Sequence, residues 1–119
     1  MFIEVENFIA LQAAMERLCE FLQNRNVPKD NVFDSKLVVS ELIGNVLKHS
    51  KGVATLESEV ADGLIRIKIS SSSMFIPPEK SVCSDVYAEH GRGLFLVDSV
   101  CESRVVTDDG DILVTIKIQ

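Results

Sequence analysis

The sequence predicts an α/β two-layer sandwich: a mixed, mainly antiparallel sheet covered on one face by helices. Three observations carry this. Two turn dipeptides, Asp62-Gly63 and Asp109-Gly110, each join runs rich in β-branched residues, as in a hairpin. Two stretches, 8–22 and 38–47, place apolar residues at steps of three and four, the period of a helix with one buried side. The strands gather in hairpins while the helices lie elsewhere in the chain, so there is no regular βαβ alternation and no repeat.

Taken in order, residues 1–6 (MFIEVE) alternate enough for a short strand, and Asn7 is suited to cap a first helix. Phe8, Leu11, Met15, Leu18 and Leu22 then form its apolar stripe. A polar break at 24–31 (NRNVPKDN) places Pro28 near the start of a second helix, with Asp30 as its expected cap and Lys48 near its end. Residues 53–60 and 64–70 make the first hairpin, with Ile65, Ile67 and Ile69 facing one way and Arg66 and Lys68 the other. Residues 71–90 lack either period, and so long an irregular stretch in a small domain predicts a functional lid or a mobile segment. Helical spacing returns at 91–100, and strands at 102–108 and 112–118 close the chain.

The 119 residues make one domain of ordinary globular composition: 46% hydrophobic and 25% charged residues exclude a disordered or fibrous chain. A net charge of −6 argues against a duplex nucleic-acid binder, which needs a basic surface. Cys19, Cys83 and Cys101 are odd in number and scattered, which fits buried thiols in a reducing compartment better than disulfides or a zinc site. The start MFIEVENF lacks the basic residues of a signal peptide, and no apolar run reaches membrane-spanning length. The expected setting is cytoplasmic.

Two stretches can carry chemistry. Along 38–50 (VVSELIGNVLKHS), Val38, Val39, Leu42, Ile43, Val46 and Leu47 occupy one side of a helix, while Glu41, Gly44, Asn45, Lys48 and His49 stack on the other. A mid-helix glycine costs roughly 1 kcal/mol relative to alanine, which raises the question of what the missing side chain makes room for. A carboxylate one turn from an amide can activate a nucleophile and offer an oxygen to magnesium, which takes few protein ligands beside phosphate and water. Lys48 and His49 can meet phosphate, or simply complement the helix C-terminus. Further on, His90-Gly91-Arg92-Gly93 precedes a helix, where exposed N–H groups and a guanidinium suit an anion, although such glycines often only punctuate a loop.

Together these stretches resemble a known superfamily. Glu41-Leu-Ile-Gly-Asn45-Val-Leu-Lys48-His49 resembles the N box of the GHKL (Bergerat-fold) ATPases, and His90-Gly-Arg-Gly-Leu-Phe-Leu-Val97 is similar to their second glycine box. Length, element order, the Val27-Pro28 entry and the closing hairpin look like the small anti-sigma-factor serine kinases along nearly the whole chain. The resemblance implies a Bergerat, histidine-kinase-type ATP-binding fold with ATP and Mg2+ as cofactors. It puts Glu41 at the general base and Asn45 at the magnesium ligand. Lys48, His49, Gly91, Arg92 and Gly93 fall around the phosphates. It implies a STAS-type antagonist protein as phosphoacceptor, a sigma factor as controlled target, and a homodimer, with no nucleic acid or membrane bound directly.

One departure stands out. Where the family carries a DxGxG box, whose aspartate accepts a hydrogen bond from the adenine amino group, this chain reads Ser70-Ser71-Ser72-Ser73-Met74-Phe75. Counting back from Phe75 and Pro77 puts Ser70, Ser72 and Met74 at the Asp, Gly and Gly positions. A serine hydroxyl accepts more weakly than a carboxylate. Two other readings therefore stand beside the serine kinase: a module that kept the fold and lost nucleotide chemistry, and the ATP-binding part of a histidine-directed two-component kinase. Tyr87 and Phe75 are expected to anchor the lid by packing, and His90 to be a loop residue.

Overall fold

The computed structural model describes residues 1–49, 53–71, 96–108 and 110–118, His49 by its backbone alone. The elements are β1 (Phe2–Val5), α1 (Phe8–Gln23), α2 (Lys29–His49), β2 (Ala54–Ala61), β3 (Leu64–Ser71), β4 (Ser103–Val106) and β5 (Ile112–Lys117). Residues 96–100 form a further helical segment. The strands make one sheet in the order β1-β2-β3-β5-β4, and each of these pairings is antiparallel.

The register assigns every strand residue to a face, because cross-strand partners point the same way and neighbours alternate. Ile3, Leu56, Ile69 and Ile112 form one inner row; Ser58, Ile67 and Val114 form the next; Val60, Ile65 and Ile116 form a third. Ile65, Ile67 and Ile69 are almost wholly buried, as are Leu56, Val114 and Ile116. The opposite face carries Phe2, Glu57, Lys68 and Leu113 in one row and Glu59, Arg66 and Thr115 in another. The sequence's alternation of isoleucine with Arg66 and Lys68 is therefore the pleat seen from the side.

Helix α2 packs on β2, β3 and β5, and α1 packs on α2 and β1. From α1, Leu11, Ala14, Leu18 and Leu22 are buried; from α2, Val38, Val39, Leu42, Ile43 and Val46 are. Phe8 departs from the expected stripe: it is half exposed, at the first turn of α1, and Ala14 serves as a core contact instead. Asn7 caps α1 as expected, its Oδ1 accepting from the Ala10 N–H at 2.7 Å. Asp30 does not cap α2. That helix begins at Lys29, the Pro28 carbonyl accepts from the Val32 N–H, and Asp30 lies in the first turn, facing the positive end of the dipole.

Tight turns hold these elements in antiparallel order. After α1, the Val27 N–H donates to the Leu22 carbonyl and the Asn26 N–H to the Gln23 carbonyl, with Asn26 at φ 60°. This is a Schellman C-cap, closed by the buried pair Leu22 and Val27. Asp62 (φ 55°) and Gly63 (φ 74°) form the two-residue turn between β2 and β3 in the mirror-image conformation that matches strand twist. Gly110 (φ 86°) ends the β4–β5 turn, where Thr107 holds Asp111 through both its backbone and its hydroxyl. Asn31, buried near the start of α2, donates to the Lys117 carbonyl at 3.1 Å and ties the helix to the last strand. Arg104 grips Asp98 with two bonds of 2.7 and 3.1 Å, fastening residues 96–100 to the edge strand β4. Cys19 and Cys101 are only partly buried free thiols; Cys83 lies outside the described residues.

Two predictions follow from this scaffold. Asn26→Ala forces a Cβ-bearing residue without local polar support into left-handed backbone, and chemical denaturation should show a loss of about 1 kcal/mol that Asn26→Gly does not share. Burial, with Asp30 one turn away, raises the Asp34 carboxyl above its ordinary 3.8. The folded state thus holds this proton more tightly than the unfolded chain, so stability falls as pH rises through the window above 3.8 and stays lower at neutral pH. Asp34→Asn should raise the urea midpoint slightly at pH 7 and leave it unchanged near pH 3.

Candidate functional site

With its apolar side committed to the sheet, α2 turns the opposite side toward the first half of α1. There Ser40, Glu41, Gly44, Asn45 and Lys48 line a cleft of about 290 Å³, faced across it by Phe8, Leu11, Gln12 and Met15. Glu41, Gly44, Asn45 and Lys48 follow one another at steps of three, one and three, so they lie along a single line of the helix surface. Glu41 and Asn45 are half-buried and Lys48 is exposed. The cleft thus has a polar wall with a carboxylate, an amide and an ammonium in sequence, and a largely apolar wall opposite.

Gly44 is buried in this wall, yet a Cβ built on it meets no atom of the described chain within 4 Å. Among the described residues neither packing nor a positive φ requires glycine there, since the residue lies within a regular helix. The space a side chain would occupy belongs to the cleft, so the helix bears the cost of a glycine where the wall is kept low.

A larger hollow of about 610 Å³ lies on the open face of the sheet, lined by Phe2, Glu57, Arg66, Lys68, Leu113 and Thr115 among others. Its charges satisfy one another: Arg66 pairs with Glu59 at 3.2 Å, and Lys68 lies 3.5 Å from Asp111 and 3.9 Å from Glu57. Arg66–Glu59 and Lys68–Glu57 are exposed cross-strand pairs of small energetic weight, and Asp111 is a partly buried turn residue just before β5. The smaller cleft is the better candidate because its polar groups converge from one helix onto one space.

The other expected site residues divide into two groups. Ser70 pairs with Thr55, and Thr55 with Glu4, so Ser70 stands on the face of the sheet turned away from the helices. Ser71 pairs with Ala54, and Ala54 with Val5; both partners are fully buried on the inner face. The register thus points Ser71, and not Ser70, toward the helix layer. Gly91, Arg92 and Gly93 lie outside the described residues, as do the His49 side chain, residues 72–90 of the expected lid with Phe75, Tyr87 and His90, and the remainder of the serine run. Helical spacing places Phe8 in the buried stripe and gives Gln12 no role; in the structure both line the α1 wall of the cleft. Their signal is the antiparallel helix pairing, which sets the first turns of α1 against the last turns of α2.

Among the described residues no group of three or more His, Cys, Asp or Glu is placed to hold a metal. The donors that are present, one amide oxygen beside one carboxylate, suit magnesium, which retains water and phosphate oxygens and rarely uses a cage of protein ligands. Among the described residues no helix is long and apolar enough to cross a membrane.

No protein-family model matches the chain. Among curated proteins it is similar to the serine-protein kinase RsbW of Staphylococcus aureus, in strains MSSA476, MW2 and JH9, at 26% identity over 102 residues. The match covers 72% of this chain and 64% of the length of each relative, so the chain spans less than two thirds of the proteins it matches. This likeness and the antiparallel α/β architecture support kinship with the GHKL superfamily.

Because no atom of the described residues opposes a Cβ at position 44, Gly44→Ala should raise the unfolding free energy by up to about 1 kcal/mol, the helix-propensity difference, as measured by urea denaturation of the ligand-free protein. A loss of stability would show that the glycine serves packing after all.

Proposed function

We propose that the protein is an ATP-dependent regulator akin to anti-sigma-factor serine kinases, which transfers a phosphoryl group to a serine of a STAS-type antagonist and thereby governs a sigma factor. The observation that carries this reading is the line of Glu41, Gly44, Asn45 and Lys48 along one wall of one cleft. The likeness to a serine-protein kinase lends it support. A homodimer and a cytoplasmic setting belong to the same reading.

Each residue has a task set by its chemistry. Asn45 offers its amide oxygen to Mg2+, as one of the few protein ligands that ion accepts. Lys48, exposed at the end of the wall, places positive charge beside the phosphates. Bound Mg-ATP supplies the phosphoryl group and an ion that offsets charge as it transfers. Glu41 would accept the proton of the acceptor serine hydroxyl, so that its oxygen bonds the terminal phosphorus in line as the bond to the bridging oxygen breaks and ADP leaves. The absent side chain at Gly44 lets phosphate and metal shell approach the helix between Glu41 and Asn45. His49, Gly91, Arg92 and Gly93 complete the phosphate environment in this proposal.

A second reading rests on a specific feature: β3 ends in serine where an adenine-binding aspartate is expected. On that reading the fold is a protein-binding module without nucleotide chemistry. Calorimetric titration with ATP, with and without magnesium, separates the two. The kinase reading expects magnesium-dependent binding that Asn45→Ala weakens at least tenfold, about 1.4 kcal/mol. It also expects Glu41→Gln to retain binding while phosphate transfer to a partner serine falls by roughly 10² or more. Absence of heat and of any thermal shift at millimolar nucleotide favours the binding module. Acid-stable labelling of the partner separates serine from histidine as acceptor.

A further inference from the structure

Strand β1 leaves one edge of the sheet open beside a hollow. Among the described residues it ends the strand order on that side. Met1 and Ser58 exchange two bonds of 2.9 Å, the Met1 nitrogen donating to the Ser58 carbonyl and the Ser58 N–H to the Met1 carbonyl. Antiparallel ladders alternate bonded with unbonded pairs, so Ile3 and Val5 turn their backbone groups toward β2, whereas Phe2 and Glu4 turn theirs to the free edge. Along this edge lies a hollow of about 360 Å³, lined by Met1, Phe2 and Ile3 and, from α1, by Arg17, Glu20 and Phe21 among others. The Phe21 ring is half-buried there, with the Arg25 guanidinium 4.5 Å from its centre. These residues occupy the flank of α1 opposite to Phe8, Gln12 and Met15, so the hollow is separate from the candidate cleft and independent of what that cleft binds.

We propose that this edge docks an extended segment of a partner protein, which adds to β1 as a further antiparallel strand. The N–H and C=O groups of Phe2 and Glu4 supply four main-chain bonds, and the flanking side chains select the sequence. Glu4 is exposed and, among the described residues, enters no ion pair, so the partner residue opposite it is basic. The next partner residue stands opposite Ile3 on the helix side, where the hollow beside Phe21 takes an apolar side chain. The one after it meets exposed Phe2 on the open face, which suits an aromatic residue. The recognised segment therefore reads basic, apolar, aromatic from its N-terminus. A second copy of this chain does not fit the edge. Paired in the antiparallel sense that the whole sheet follows, it would set its β1 about 4.8 Å away with its α1 on the same face. Because α1 rests on β1, the two helices would meet well inside the roughly 8–10 Å that packed helices need.

The probe is the blocked, fluorophore-labelled peptide Thr-Ser-Lys-Val-Tyr-Val-Thr, titrated with the full chain and read by fluorescence anisotropy. Methylating the lysine and tyrosine nitrogens removes the two donors aimed at β1 and should weaken binding at least about tenfold. Methylating the two valine nitrogens, which point away from β1, should change it by no more than about twofold. Replacing the peptide's lysine by glutamate should weaken binding about threefold or more, and Glu4→Lys should reverse that preference. Thermal unfolding checks that Glu4→Lys is folded; if it is not, the two methylated peptides decide on the wild type. Absence of an anisotropy change at millimolar protein overturns the proposal, as does equal sensitivity to the two methylation patterns or a charge preference that a folded Glu4→Lys leaves unchanged. A dimer that the peptide dissociates in sedimentation also overturns it, since a second copy then holds this edge.

Discussion

The structure depends on one burial: the inner face of the sheet, centred on Ile65, Ile67 and Ile69 of β3, beneath the apolar side of α2. Removing such side chains from water is worth about 1.5–3 kcal/mol each, so this row with Leu56, Val114 and Ile116 outweighs any surface ion pair the chain forms. The consequence reaches well beyond stability. A helix with Val38, Val39, Leu42, Ile43 and Val46 pressed onto a sheet has no freedom to choose where its remaining residues point. Glu41, Asn45 and Lys48 are aimed by the packing on the other side of the helix, and the backbone that carries the polar wall is held by the core that orients it.

The opposite wall is aimed by a separate device. The Schellman cap at Asn26 and the entry at Pro28 reverse the chain between α1 and α2, and the tether from Asn31 to the Lys117 carbonyl fixes α2 near its start. With the helices antiparallel, the first turns of α1 must lie beside the last turns of α2. Phe8 is then half exposed because of where the pairing places it: it lines the mouth of the cleft that Glu41 and Asn45 share. The Arg104–Asp98 pair acts at the other end of the sheet, fastening 96–100 to a strand whose own pairing is only four residues long.

Much of this was legible in the sequence, and the reasons for the exceptions are physical. Period two in 64–69 and the Asp62-Gly63 turn specify β3 and its partner, since left-handed backbone at both turn positions selects those residue types. The line of Glu41, Gly44, Asn45 and Lys48 is legible from helical spacing alone. Helix boundaries were less so: Asp30 has the chemistry of a cap, but Pro28 is itself pre-set for a helix start and moves the boundary upstream. The buried stripe of α1 was misplaced at Phe8 because periodicity shows which residues share a side, and only tertiary packing shows how far along the helix that side is covered. The face of Gln12 was unreadable for the same reason.

The serine run shows how a choice of ruler changes a site. Counting back from Phe75 and Pro77 selects Ser70 as the residue in the aspartate's place. Counting forward in steps of two along the buried face, Ile65, Ile67, Ile69, selects Ser71. The two rulers differ by one residue, and in a strand one residue is the difference between the two faces of a sheet. The forward count has the stronger physical warrant, because three nearly dry isoleucines hold the parity of β3 against any slip, whereas spacing across a loop tolerates an insertion at little cost. A two-layer sandwich admits no compromise: a side chain of β3 that is to reach the space beside α2 must come from the odd-numbered set, and the last described member of that set is Ser71. What the end of this strand presents to the helix layer is thus set by the same alternation that fills the core.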